Sequence, residues 1–254
     1  MRLIIVRHAD PDYEKDSLTP GGWREAELAA KRIKKIDEQC GGIKAIYVSP
    51  LGRAQDTASC SLKLLNRDDA ITCEWLREFF APQIKRPDIK EGTAIAWDWL
   101  PKDWTSCPEF YNVNEWKKNS IMQAGEVGRE YDRVCTEFDK LLATHGYVRC
   151  DEQEGQYYRV ENSNTDTIVF FCHFGVESVL LSHLCHCSPM ILWHSFCAAP
   201  SSVTTVITEE RREGIASFRI NGYGDVSHLY VAGEEPSFSA RFRECYGNDW
   251  ERRD

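Results

Sequence analysis

The stretch Leu3-Ile4-Ile5-Val6-Arg7-His8 decides how this chain is read. Four consecutive aliphatic residues without polar alternation mark a strand buried on both faces, the pattern of a parallel sheet. Arg7 and His8 fall just past its last apolar residue. In open α/β sheets the carboxyl ends of the strands are where ligands bind. A guanidinium there is an anion clamp, and an imidazole beside it is a candidate nucleophile or base.

The same grammar recurs outward from this run. Ala45 to Val48 reads as a second short strand that stops at Ser49-Pro50, with a helix following through Leu65. Ile71 to Trp75 reads as another strand. Thr167 to Cys172 is the most apolar strand and ends at His173, with a helix over Val176 to Cys187. Thr19-Pro20 opens a helix, with Thr19 as cap and Pro20 at the first position, and Gly41-Gly42 closes it. Glu126 to Thr144 has one apolar face: Val127, Tyr131, Val134, Phe138, Leu141 and Leu142. Tyr147 to Cys150 and Tyr157 to Val160 form a hairpin around Gly155, and Val203 to Thr208 with Ile215 to Ile220 a last one. Alternating strands and helices predict an α/β fold: a three-layer α/β/α sandwich on a mixed, mostly parallel sheet, as a single domain over residues 1–254.

Residues 79–128 break the pattern. They show no clean period and hold Trp97, Trp99, Trp104 and Trp116. A structureless stretch of that length inside a compact domain reads as a functional cap or lid, or as an aromatic packing flap.

Composition narrows the class. The chain has 254 residues, 42% hydrophobic and 28% charged, enough to bury a sizeable core. The 40 acidic against 31 basic residues, a formal charge of −9, argue against a nucleic-acid partner. Eleven cysteines, no signal-peptide pattern and no run long enough for a membrane span predict a reduced cytoplasmic protein with no membrane partner.

The chemistry gathers at strand ends. His8 and His173 each follow an apolar strand and precede a loop-to-helix transition. Arg53 lies in the first turn after a third strand. A pocket of Arg7, His8, Arg53 and His173 fits a phosphoryl dianion, whose oxygens accept paired bonds from arginine.

This order of motifs resembles the histidine phosphatase superfamily, in its phosphoglycerate-mutase-like branch. The resemblance is carried by Arg7-His8-Ala9, Leu18-Thr19-Pro20-Gly21-Gly22, Ser49-Pro50-Leu51-Gly52-Arg53-Ala54, Leu76-Arg77-Glu78 and Cys172-His173-Phe174-Gly175-Val176. It implies that His8 takes the phosphoryl group as phosphohistidine and that Arg7, Arg53 and His173 bind its oxygens. It also implies that Glu78 protonates the leaving oxygen and then helps activate water. Phe174 is expected beside the substrate. The expected activity is metal-independent hydrolysis of small phosphorylated metabolites, with no cofactor. The alternatives are a phosphoglycerate-type phosphomutase and a non-catalytic phospho-ligand binder.

Three departures from the family pattern stand out. Glu14 occupies the position of a family asparagine, with Asp10 and Asp12 nearby. Phe79-Phe80-Ala81-Pro82 replaces the mutases' Gly-Leu-Asn-Lys stretch. Phe174 follows His173 where the acid-phosphatase branch has aspartate, which favours Glu78 as the acid, with Glu74 as runner-up. Elsewhere, His183, His186 and Cys187 share a helix face and invite a zinc reading, but Leu180, Leu181 and Leu184 make that helix core-facing, so no metal site is assigned. Ser49 reads as a helix cap, His194 as a lone residue and His228 as structural. Ser201-Ser202 are candidate pocket residues.

Overall fold

The strand β1 (Arg2–Arg7) is buried at every residue but the first, because it runs through the middle of a sheet. The computed structural model describes residues 1–152, 155–239, 241–242 and 244–247. After β1 come α1 (Pro20–Cys40), β2 (Ala45–Val48), α2 (Gly52–Leu65) and β3 (Ile71–Thr72). Then follow α3 (Val127–Thr144), β4 (Tyr147–Glu152), β5 (Gly155–Val160) and β6 (Thr167–Cys172). The chain continues through α4 (Phe174–Cys185), α5 (Pro189–Ser195), β7 (Val203–Arg212) and β8 (Ile215–Asp225).

The eight strands form one mixed sheet in the order β3-β2-β6-β1-β7-β8-β5-β4. Parallel pairing joins β1 to β6, β6 to β2 and β2 to β3. From β7 onward the pairings are antiparallel. Parallel pairing was expected over most of the sheet and is confined to one half. The reason is local: two residues, Glu213 and Gly214, join β7 to β8, with Gly214 at φ 79°. A connection that short only makes an antiparallel neighbour.

Alternation along β1 sorts its side chains to two faces. Leu3 and Ile5 join Ile168, Phe170 and residues of α3 and α4 in one core. Ile4 and Val6 join Val169, Phe171, Ile46, Val48 and residues of α1 and α2 in another. The result is the three-layer α/β/α sandwich.

The helix ends follow their capping chemistry. Thr19 Oγ1 accepts from Gly22 N at 3.0 Å, Pro20 takes the first turn, and Gly41 at φ 77° closes α1. Two other boundaries differ from expectation. The strand expected over Ile71 to Trp75 stops at Thr72, and Glu74–Leu76 is a 3-10 turn. The helix α4 begins at Phe174, which makes His173 its cap residue.

Residues 79–128 fold into a two-strand ribbon (Gln83–Ile84 with Ala94–Ile95) and short helices, including Pro101–Thr105 and Ser120–Ala124. Trp99, Trp104, Phe110, Trp116 and Met122 sink from this segment into the core shared with α3. Elements of five residues are too short to show a period, so the sequence shows only their anchors. Among the described residues no helix is long and apolar enough to cross a membrane.

The zinc reading has no site. His183 Nε2 lies 2.8 and 2.9 Å from the two Asp139 oxygens, and His186 Nδ1 lies 2.9 Å from Arg149 Nη2. Among the described residues no three potential metal ligands gather.

Candidate active site

The register of β1 against β6 sets the centre. Arg7 stands opposite Cys172. One residue further, His8 N donates to Cys172 O at 2.9 Å, and Ser201 N donates to His8 O at 3.0 Å. The two imidazoles therefore leave adjacent strand ends side by side, ring centroids 5.0 Å apart with planes at 56°. His8 Nδ1 faces Ala9 O at 2.8 Å. A carbonyl only accepts, so Nδ1 carries the proton and Nε2 carries the lone pair. Burial, reinforced by Arg7 and Arg53, pushes the His8 pKa well below the ordinary histidine value. Burial, with His8 and the same arginines, does the same to His173. Both rings are neutral near pH 7.

His173 is fixed by Ser49. Ser49 Oγ lies 2.7 Å from His173 Nε2 and accepts from Leu51 N at 3.3 Å. The helix cap expected at Ser49 falls to Leu51 instead, because α2 starts at Gly52. Ser201 and Ser202 act through backbone, Ser202 O accepting from Arg7 N at 3.1 Å. The Ser201 hydroxyl meets His228 Nε2 at 3.2 Å.

The two arginines are tethered from behind. Arg7 Nη1 donates to Ala198 O at 2.5 Å, and Arg53 Nη1 to Asp16 Oδ1 at 2.6 Å. Asp16 Oδ2 also accepts from Gly52 N at 2.7 Å. The Nε of each arginine is buried without a hydrogen-bond partner. A buried donor left unpaired costs about 1–3 kcal/mol.

Glu78 closes the group. Its Oε1 accepts from Phe79 N at 2.7 Å and Val176 N at 3.1 Å. Burial raises its pKa, against the pull of backbone amides and of Arg53 and Arg7. Space for it comes from Gly175, where an added Cβ would stand 2.5 Å from Glu78 Oε1 and 2.7 Å from Trp97 Nε1. Glu74 lies outside this group: its side chain is 75% exposed and pairs with Arg77 at 3.3 Å.

Three of these groups, Arg7, Arg53 and Glu78, reach a cavity of about 890 Å³. Arg7, Arg53 and Glu78 line its floor, and Phe174 lines its wall edge-on to Trp97 at 5.6 Å. His8 and His173 lie behind the floor, 1% and 0% exposed. Glu14 is exposed and lines no part of this cavity. Asp12 pairs with Lys15, and Asp10 accepts from Thr19 Oγ1. A second groove of about 810 Å³ beside α1 is lined by Arg2, Lys31, Arg32 and Lys35, and holds no carboxyl group.

Asp16, Ala198 and Glu177 stand beside this centre although no motif marks them, and Ser49 stands there as the partner of His173. Asp16 sits at φ 48° and Ala198 acts through its carbonyl, features that residue type does not signal. Glu177, a charged residue in the first turn of α4, is 1% exposed, and burial raises its pKa to about 7.

Known proteins share this fold. A phosphoserine phosphatase variant from Entamoeba histolytica, solved with phosphoserine, aligns with TM-score 0.54 and 18% identity over 90% of this chain and 98% of that one. A mycobacterial glucosyl-3-phosphoglycerate phosphatase aligns with TM-score 0.54 and 15% identity over 88% and 98%. At these identities the likeness is one of fold. A 2,3-bisphosphoglycerate-dependent phosphoglycerate mutase from Thermoplasma acidophilum is 36% identical over 75 residues, 26% of this chain. The chain spans 35% of that relative's length. The profile of the histidine phosphatase superfamily (branch 1) matches residues 3–148, more than half of the chain, and the chain belongs to that superfamily.

Proposed function

We propose that this protein hydrolyses phosphomonoesters of small metabolites through a phosphohistidine on His8, without a metal ion. The observation that carries the reading is the bond from His8 Nδ1 to Ala9 O, which leaves the Nε2 lone pair as nucleophile beside two tethered arginines. Arg7, Arg53 and His173 bind the phosphoryl oxygens and offset the charge spread over them in the loose transition state.

His8 Nε2 attacks phosphorus, the P–O ester bond breaks, and the leaving oxygen takes the Glu78 proton. The Glu78 carboxylate then takes a proton from water as the water oxygen attacks phosphorus. The P–N bond breaks, releasing phosphate and restoring neutral His8 and protonated Glu78. Burial favours the protonated form of Glu78 that the first step needs. Phe174 flanks the leaving group, with Trp97 against it. The relatives named as phosphatases support water as the acceptor, and the stretch shared with the mutase supports a second reading, transfer to another alcohol.

The test is turnover of p-nitrophenyl phosphate in EDTA, with a trap for radiolabelled protein quenched in alkaline detergent. Phosphate release without metal and an acid-labile label absent from His8→Ala support the reading. Loss of activity in EDTA with recovery on adding zinc or magnesium overturns the metal-free mechanism. Transfer between alcohols without phosphate release selects the mutase.

A further inference from the structure

The cavity above the arginine floor is much larger than a phosphoryl group needs. Its volume of about 890 Å³ lies in the range of roughly 300–1,000 Å³ found for pockets that enclose drug-sized ligands. The walls are aromatic: Trp97, Trp99, Trp104, Phe174, Trp193 and Phe196.

Packing of the 79–128 segment takes up Trp99 and Trp104 but leaves other apolar side chains at the cavity exposed. Phe110 and Trp116 are 0% exposed and serve as its anchors. Phe80 at 42%, Leu100 at 43% and Phe196 at 43% stay exposed instead, as do Tyr13 at 48% and Phe242 at 70%. All five line this one cavity. Large apolar side chains left in water normally scatter singly, and their convergence marks a binding surface.

The walls are also held in place. Trp97 Nε1 donates to Phe79 O at 2.7 Å and Trp193 Nε1 to Gly175 O at 3.0 Å. Trp104 stacks on His194 at 5.1 Å and 26°. A pocket built before its ligand arrives has little ordering left to do on binding.

Charge on the walls is mostly matched internally. Arg86 is paired with Asp88 at 2.6 Å and with Asp98 at 2.9 Å. Arg241 lies over the Phe238 ring at 4.0 Å. A three-carbon acid phosphate would have Arg241 for its carboxylate, but it would leave the aromatic walls in water.

We infer that the leaving group of the substrate is a ring-bearing, largely apolar alcohol. The inference rests on the phosphatase reading and adds the class of leaving group to it. Aromatic walls favour a flat ring over an alkyl chain of equal area, because ring edges and faces attract one another.

The test compares kcat/KM for 2-naphthylmethyl phosphate, n-octyl phosphate, phosphoserine and 3-phosphoglycerate. All four leave as ordinary alcohols, so reactivity does not bias the ranking. The expected result is a preference for 2-naphthylmethyl phosphate of at least about tenfold over n-octyl phosphate and at least about a hundredfold over the two small acids. Leu100→Asp, at an exposed wall position, should cut the ratio of naphthylmethyl to phosphoserine turnover by about tenfold or more. Equal or better turnover of phosphoserine or 3-phosphoglycerate overturns the inference, and so does parity with n-octyl phosphate. Tryptophan quenching by each ester in His8→Ala separates the two readings. Selective naphthylmethyl binding without wild-type turnover defeats hydrolysis and keeps the ring pocket. Turnover without that selectivity does the reverse.

Discussion

Ser49 Oγ and His173 Nε2 lie 2.7 Å apart, and this contact sets the orientation of the second imidazole. Ser49 Oγ also accepts from Leu51 N, which holds the hydroxyl in place beside the ring. His173 Nδ1 is buried with no hydrogen-bond partner. On the proposed mechanism His173 is a donor to a phosphoryl oxygen and His8 attacks phosphorus, although both follow strands of the same kind.

Ser49→Ala should therefore lower kcat by about 10–100-fold, the range seen when an orienting partner of a working histidine is removed. Vanadate inhibition should weaken in parallel, because vanadate uses the same donor. A variant that folds, with kcat and vanadate inhibition unchanged, would remove Ser49 from the site.

His8→Ala should abolish turnover, by about 10⁴–10⁶-fold as for other covalent nucleophiles, while the thermal transition stays in place. Folded protein keeping more than about a tenth of wild-type activity would rule out His8 as nucleophile.

Much of this centre was legible from strand ends. Leu3 to Val6 and Thr167 to Cys172 have unbroken apolar runs because both faces of their strands are covered. Whatever follows such a run emerges at the same edge, so Arg7, His8 and His173 could be grouped before any coordinates. The apolar run from Ile71 extends beyond its strand, which ends at Thr72. Trp75 and Leu76 are apolar and buried, but they point inward from a 3-10 turn, which periodicity over so few residues does not distinguish from a strand. Glu78 lines the cavity with Arg7 and Arg53, as its motif suggests, and Glu74 opens the 3-10 turn rather than extending the strand. Exposure and the pair with Arg77 dispose of Glu74. Contacts made by backbone carbonyls, such as Ala198 O on Arg7, leave no trace in residue type.

Glu78→Gln should slow alkyl phosphate hydrolysis by roughly 10²–10⁴-fold, within the ordinary yield of a positioned acid. Phosphoryl transfer from p-nitrophenyl phosphate, read in the burst, should suffer less, since that leaving group needs little protonation. The sign with pH follows from the raised pKa of Glu78. The carboxyl must hold its proton, so alkyl phosphate turnover falls as pH rises through that pKa, and the glutamine variant loses this basic limb. Equal, small effects on both substrates with a large effect of Glu74→Gln would move the acid role to Glu74.

Gly175→Ala should separate stability from activity. Alanine is the better helix former by about 1 kcal/mol, and Gly175 lies in the first turn of α4. Yet the new methyl would meet Glu78 Oε1 at 2.5 Å and Trp97 Nε1 at 2.7 Å. The expected outcome is folded protein with kcat on alkyl phosphates reduced about as far as in Glu78→Gln. Near-normal activity would show that Glu78 works from another position.

Glu177 gives the last prediction, one of stability against pH. Burial raises its pKa from the usual 4.5 to about 7 in the fold, with the Thr204 hydroxyl and Arg7 pulling the other way. The folded state therefore holds a proton that the unfolded chain has lost between those values. Its contribution is fully present below pH 4.5 and is lost as pH rises through about 7. Glu177→Gln keeps the neutral shape and removes this titration. The stability of the variant minus that of the wild type should grow as pH rises from 4.5 and level off above 7, by at most about 3 kcal/mol for a shift of that size. Working with the difference cancels His8 and His173, whose depressed values destabilise the fold in the opposite direction as pH falls below the ordinary histidine range. Denaturant unfolding of the two proteins at pH 5, 6, 7 and 8 measures it. A difference that stays flat, or that shrinks with rising pH, would mean that Glu177 is ionised in the native protein and held by Arg7.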